Sequence, residues 1–245
     1  MKSRARQKPG KMIFVTGTDT GVGKTVFTGL LVRHLRTTGL HALAIKPFCS
    51  GSRADVRLLR AMQDNELTED EINPFYFPEP IAPLVSARQR KRLISLVEVV
   101  RRIKAIAVRC EGLLIEGSGG LLVPLGEKYL VSDLIKRLDC EVVVVSRNRL
   151  GTINHTLLTV GALKRLGVKK IAVALMETGK KDASAKTNGR VLRELLKPIQ
   201  LYGVEFLGKN ASKSGVFKNS HRKVKKTLAR YREYDNLMTF LRPKR

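Results

Sequence analysis

Lys24 and Thr25 close a stretch, KMIFVTGTDTGVGKTVFT (residues 11–28), whose residue types and order suit the handling of phosphate. An ammonium group neutralises phosphate oxygens, and a hydroxyl can ligate a divalent cation beside them. Small and polar residues from Gly17 to Gly23 separate the apolar run Met12–Val15 from a helix-compatible run, Val26–Leu35. Strand, glycine-rich loop and helix start together supply converging backbone N–H groups and about half a positive charge of dipole field. This is the pattern of a phosphate-binding P-loop with one glycine out of register. The usual spacing, G-x-x-x-x-G-K-[ST], asks for glycine at position 18, but that residue is Thr18 and the glycine is Gly17.

Three more charged residues could serve the same chemistry. Lys46 follows a short apolar run and precedes Pro47. It is either a strand-end lysine reaching solvent or a second cation facing phosphate across from Lys24, where two ammonium groups would neutralise charge on a transferred phosphoryl group. Asp55 is either a first-turn helix acid favoured by the dipole or an oxygen ligand. Glu116 ends the apolar run Leu113–Ile115 just before Gly117-Ser118-Gly119-Gly120, where glycines permit close backbone approach to a ligand. Thr25, Asp55 and Glu116 would together give part of the oxygen shell that Mg²⁺ prefers. Asn154 and His155 open a helix after Leu150-Gly151-Thr152, and serve either as caps or at a helix N-terminus that binds a carboxylate. The histidines form no metal pattern. Cys49, Cys110 and Cys140 lack C-x-x-C spacing, which argues against a disulfide framework or a zinc site.

These residues need a scaffold that brings them together. Strands are expected at 12–15, 41–45, 113–115, 142–145, 171–175 and 201–207, and helices at 26–35, 53–62, 93–108, 131–138, 152–166 and 187–196. Residues 48–52, 64–70 and 178–185 read as loops, and 73–83, with four prolines, as ordered but irregular. Val142–Val145 is the β-branched run that a central parallel strand requires. The alternation predicts an α/β fold, a three-layer, doubly wound, mostly parallel sheet with helices on both faces. Ligands in such sheets bind beyond the carboxyl ends of the strands. Residues 17–25, 46–50, 116–120 and 147–154 each follow a strand, so they are expected on one rim. A basic N-terminal arm (1–10), a core domain (11–208) and a basic C-terminal extension (209–245) are expected. The extension reads as a polar linker and a weak helix whose Leu228, Tyr231, Leu237, Phe240 and Leu241 could dock on the core.

The 245 residues carry a formal net charge of +26. A basic surface attracts nucleic acid through counterion release, but here the charge gathers at the ends. Residues 209–245 hold twelve Lys and Arg against Glu233 and Asp235. With 5% aromatic residues and no Trp, a base-stacking platform is poorly supplied, so a nucleic-acid partner is not expected. No apolar run approaches the roughly 18 residues that span a bilayer. The basic N-terminus has no signal-peptide core after it, so a cytoplasmic protein is expected.

Taken together, GTDTGVGKT (17–25), KPFCSG (46–51), NPFYFPEPIAPLVSA (73–87), EGSGGLLVPL (116–125) and LGTINHTLLT (150–159) resemble the dethiobiotin synthetases. Their loop also reads G-T-D-T-x-V-G-K-T, which accounts for the displaced glycine. The resemblance implies a cyclo-ligase of the P-loop NTPase type. Its substrate would be 7,8-diaminononanoate, which takes up CO₂ as a carbamate, is phosphorylated by ATP and closes to a ureido ring. Positions matching Gly21, Val22, Gly23, Lys24, Thr25 and Val26 would bind ATP, with Gly117, Ser118, Gly119, Met176 and Glu177 also on the nucleotide side. Thr25, Asp55 and Glu116 would hold Mg²⁺. Lys46, with Lys24 and Thr20, would be catalytic. Thr20 and Ser50 would face the diamine, and Gly151, Thr152, Ile153 and Asn154 would hold its carboxylate across a homodimer interface. Two positions depart from the family. Gly21 stands where many members have Glu, and Met176 stands where an Asn reads adenine. A thioether cannot make that contact, so other nucleoside triphosphates are expected to serve beside ATP. The alternative is a ParA-like partition ATPase that binds DNA non-specifically. That group carries a lysine near the start of its loop, at the place of Thr18, and no lysine lies between Lys11 and Lys24.

Overall fold

The computed structural model describes residues 9–180 and 182–208. In chain order the elements are β1 (Lys11–Gly17), α1 (Lys24–Thr37), β2 (Ala42–Ile45), β3 (Phe48–Ser50), α2 (Ala54–Met62), α3 (Glu69–Ile72), β4 (Phe75–Phe77), α4 (Pro83–Gln89) and α5 (Leu96–Ala107). There follow β5 (Gly112–Glu116), β6 (Pro124–Gly126), β7 (Tyr129–Leu130), α6 (Val131–Leu138), β8 (Glu141–Arg147), α7 (Thr152–Arg165), β9 (Ile171–Met176), a 3₁₀ turn (Ala183–Lys186), α8 (Asn188–Leu196) and β10 (Gln200–Val204).

Six strands form one sheet in the order β10-β9-β8-β1-β5-β2, and every pairing in it is parallel. Strands buried on both faces must be apolar throughout. Val142 to Val145 in β8 and Leu113 to Ile115 in β5 are fully buried. The chain leaves β1 toward β2 through α1, then returns past β1 toward β8, β9 and β10. With right-handed crossovers, α1 therefore covers one face, and α5, α6, α7 and α8 cover the other. The carboxyl end of β1 lies where the direction of winding reverses, the place where such sheets open a crevice for ligands.

The doubly wound α/β architecture expected from the sequence is present, and each expected strand and helix of the core has its counterpart. Several local readings need correction. Residues 48–50, expected in a loop, form β3 and pair in parallel with β4, inside the segment expected to be irregular. Phe48 stacks on Phe75 with ring centroids 4.9 Å apart, so aromatic packing outweighs the turn-forming composition. Residues 69–72 form α3, because Thr68 and Glu71 make a reciprocal capping box. Helix α5 begins at Leu96 and not at Leu93. Ser95 caps it by accepting from the Glu98 N–H at 3.1 Å. Leu93 and Val97, both inside the span expected to be helical, are 77% and 71% exposed. Helix α4 and the β6–β7 hairpin carry no periodicity long enough to be read. The N-terminal arm up to residue 8, Lys181, and the C-terminal extension with its docking positions lie outside the described residues.

Candidate active site

Three of the four strand-end segments expected on one rim, 17–25, 46–50 and 116–120, converge on one cleft, whereas 147–154 does not line it. Thr20, Gly21, Gly23, Lys24, Thr25, Val26, Lys46, Ser50, Asp55, Glu116, Ser118 and Gly119 line one cleft of about 570 Å³. Gly23 sits at φ +105 ahead of α1, a conformation that side chains rarely adopt. It turns the chain so that Lys24 and Thr25 start the helix inside the cleft. Lys24 folds back, and its Nζ donates to the Asp19 carbonyl at 3.0 Å. Burial lowers its pKa to about 8. The Lys46 ammonium adds to that effect, while Glu116, Asp55 and Asp19 pull the other way.

Lys46 is the centre of the cleft. Its Nζ donates to Asp55 Oδ2 and to Glu116 Oε1, each at 2.6 Å. Burial disfavours its charge, but Glu116 and Asp55 outweigh burial and hold the ammonium well above the ordinary lysine range. Lys46 is therefore a fixed cation and cannot act as a base near neutral pH. Thr25 Oγ1 donates to the same Glu116 oxygen at 2.7 Å. The other oxygen, Glu116 Oε2, is buried and has no hydrogen-bond partner.

The metal expectation can be tested on that orphaned oxygen. A buried carboxylate oxygen without a partner is costly, and it lies beside a hydroxyl and a second carboxylate. The three donors are hard oxygens, the set that suits Mg²⁺ and no soft metal. Among the described residues no group of three or more His, Cys, Asp or Glu is placed to hold a metal ion. The protein shell would thus be partial and need phosphate or water oxygens to complete it, as is usual for Mg²⁺.

The remaining expected residues fall outside the cleft lining. Val22 is buried beneath the loop. Gly117 packs against Phe14. The Met176 side chain lies against Gly23, where an added Cβ would meet it at 3.3 Å. Glu177 accepts from Asn148 Nδ2 at 2.8 Å. Gly151 caps α7 and Thr152, Ile153 and Asn154 start it, and none of the four lines this chain's own cleft. The Thr152 hydroxyl is buried in a bond with Ser146 Oγ at 2.5 Å.

Some functional neighbours were not singled out by sequence. Pro80, Ile81, Ala82, Pro83, Val123 and Cys49 form the apolar wall. Pro80 to Pro83 were signalled by the proline-rich composition of 73–83, and Cys49 and Val123 lie in the stretches KPFCSG and EGSGGLLVPL that carry the family resemblance. Burial pushes the Cys49 thiol up against the pull of Lys46. Buried Asn73 donates from Nδ2 to the carbonyls of Lys46 and Pro47 at 3.0 and 3.1 Å, and so fixes the backbone that carries the central lysine. Arg147 donates from Nη2 to the Gly21 carbonyl across the mouth of the loop.

Comparison with known proteins agrees with this geometry. A family described as an AAA domain matches residues 11–219. An ATP-dependent dethiobiotin synthetase of Bacillus licheniformis is 45% identical over 170 residues, 67% of this chain and 72% of the relative. The Bacillus subtilis enzyme of the same name is 38% identical over 213 residues, covering 84% and 90%. Among solved structures, a ParA family ATPase from Chlorobium tepidum superposes with a TM-score of 0.55 at 15% identity, covering 89% of this chain and 96% of that one. The MinC:MinD cell division complex of Aquifex aeolicus gives 0.59 at 13% identity, covering 96% and 99%. At such identities the structural likeness establishes the fold alone, whereas the sequence relatives cover most of this chain and most of their own. The chain belongs to the family of ATP-dependent dethiobiotin synthetases.

Proposed function

We propose that the protein is a ligase of biotin biosynthesis that forms dethiobiotin from 7,8-diaminononanoate, CO₂ and ATP, with Mg²⁺ as cofactor. The observation that carries this reading is the junction at Lys46. One buried ammonium meets two carboxylates at 2.6 Å beside a glycine-rich phosphate loop and under an apolar wall. A fixed cation there suits a reaction in which negative charge builds up on a carbamate and then on a transferred phosphoryl group.

The chemistry runs in three steps. One amine of the diamine adds to CO₂ and loses a proton, giving a carbamate. A carbamate oxygen attacks the γ-phosphorus of ATP and ADP leaves, giving a carbamic-phosphoric anhydride. The second amine attacks the carbonyl carbon, the C–O bond to phosphate breaks, and the ring closes with loss of a proton. Lys46 orients the carbamate and neutralises it. Lys24 meets the β- and γ-phosphates, and backbone N–H groups of Gly21 to Val26 cradle them. Thr25, Asp55 and Glu116 would hold Mg²⁺, which when bound supplies charge neutralisation at the triphosphate. Thr20 and Ser50 face the diamine. The Ser50 hydroxyl is buried in the cleft without a partner, which favours a ligand-facing role. Gly117, Ser118, Gly119, Met176 and Glu177 lie on the nucleotide side. Ser118 also ties its loop to β3 through the Phe48 carbonyl at 2.8 Å.

We assign the carboxylate of the diamine to the N-terminus of α7, at Gly151, Thr152, Ile153 and Asn154 of a second copy in a homodimer. Support comes from the position of that segment, which does not line its own cleft, and from exposed Leu150 and Leu158 beside it, at 80% and 61%. Met176 offers the base no donor–acceptor pair, so the reaction should accept GTP or CTP as well as ATP. The domain division into arm, core and basic extension belongs to the same reading. The test is direct: incubation with the diamine, bicarbonate, Mg²⁺ and each nucleotide in turn, followed by mass analysis. The ring product is expected with more than one nucleotide. Its absence with all of them would overturn the assignment.

A further inference from the structure

We propose that Arg147 is the positioning residue of the phosphate loop: its guanidinium holds the Gly21 carbonyl outward and thereby turns the next N–H, that of Val22, into the cradle. This rests on the nucleotide-binding role given to the loop above and adds a residue from another element to it.

The sheet brings the two segments together. Strands β1 and β8 run in parallel with Gly17 opposite Val145. Where β1 leaves the sheet into the loop, β8 continues for two residues, and Arg147 is its last. Its neighbour on the next strand is Met176, whose side chain supports Gly23 from below. The tip of the loop is thus gripped from the β8–β9 side at two points, 126 residues away in sequence for the arginine.

Gly21 needs such a grip. It sits at φ +69, and nothing lies within 4 Å of the place a Cβ would occupy. Neither a side chain nor packing fixes its peptide, and glycine pays the largest conformational entropy when ordered. In a planar trans peptide the carbonyl of one residue and the N–H of the next point in opposite directions. A donor that draws the Gly21 carbonyl outward therefore aims the Val22 N–H inward. Thr20 and Gly21 form a turn, and among the described residues no hydrogen bond of good geometry occupies the N–H groups of Gly21, Val22 or Gly23, so phosphate oxygens can take them. A planar guanidinium fixes direction as well as charge, which a lysine ammonium does not.

The test is equilibrium binding of ATP and of ADP, by calorimetry without diamine, to the full-length protein and to Arg147→Ala, Arg147→Gln and Arg147→Lys. The proposal expects Arg147→Ala and Arg147→Gln to weaken both nucleotides about tenfold or more, the scale of one charge-assisted hydrogen bond. Arg147→Lys should recover part of the loss. The KM for ATP should rise with the dissociation constant, while the KM for the diamine stays. Unaltered affinity for both nucleotides would overturn the proposal alone. So would a loss confined to ATP, since it would assign the guanidinium to the γ-phosphate. No binding of either nucleotide by the unsubstituted protein would remove the nucleotide reading and this proposal with it.

Discussion

At the scale of single residues, two lysines in one cleft are tuned in opposite directions. Lys46 is held charged by Glu116 and Asp55, whereas burial brings Lys24 down to about 8. Lys46→Ala removes the cation at the reacting centre and should lower kcat by about 10²–10³-fold, the usual cost of one such electrostatic contact. It also leaves Glu116 buried without its counter-charge, so a stability loss of roughly 3–5 kcal/mol should accompany it. Steady-state kinetics below the melting transition, with a denaturant titration, check both effects. Retained turnover would remove Lys46 from the mechanism. The pH behaviour follows from Lys24. Below about 8 it is already protonated, so binding triphosphate draws no proton to it. Above about 8 it is largely neutral in the free protein, and the phosphates restore its charge. ATP binding should therefore take up a proton near pH 9 and not near pH 6.5, as read by calorimetry in buffers of different ionisation enthalpy. Lys46 adds nothing, because it stays protonated throughout.

At the scale of elements, the long strands and helices were legible because their apolar periods are local properties of the chain. Val142 to Val145 could only be a central strand, and the loop from Gly17 to Gly23 could only lead into a helix. The short pieces were not legible. β3 and β4 exist because Phe48 and Phe75 stack, and no window of sequence holds both. The convergence of Thr25, Lys46 and Glu116 followed from topology, since each belongs to a segment that follows a strand, whereas Asp55 sits in the first turn of α2, outside those segments. What topology could not give was the supporting contacts of Asn73, Arg147 and Gln63, each made across long gaps. Gln63 shows the principle. Strand β2 is an edge of the sheet, and buried Gln63 completes it as a side-chain strand. Its Oε1 accepts from the Ala44 N–H at 3.0 Å and its Nε2 donates to the Ala44 carbonyl at 2.9 Å. Gln63→Leu strands both backbone groups and should cost about 1–3 kcal/mol for each. A chemical-denaturation midpoint measures this, and the kcat of the folded variant should not change.

At the scale of the whole molecule, charge and assembly remain the features that a single cleft does not use. The formal net charge of +26 sits partly on residues 209–245, and no helix among the described residues is long and apolar enough to cross a membrane. In the proposed homodimer, assembly would bear on function through α7. If Gly151 to Asn154 complete the cleft of a second copy, Leu158→Glu places a charge on the exposed face of that helix and should produce monomers in sedimentation velocity. The same variant should raise the KM for the diamine more than the KM for ATP. A monomeric wild-type protein with full activity would end the dimer assignment. The central claim, that a carbamate oxygen attacks phosphorus beside Lys46, is tested most directly by following that oxygen. Turnover started with ¹⁸O-labelled CO₂, before exchange with water, should leave one labelled oxygen in the ureido carbonyl and pass the other to inorganic phosphate, seen by mass and by ³¹P resonance. Phosphate released without label, with or without ring product, would contradict the account.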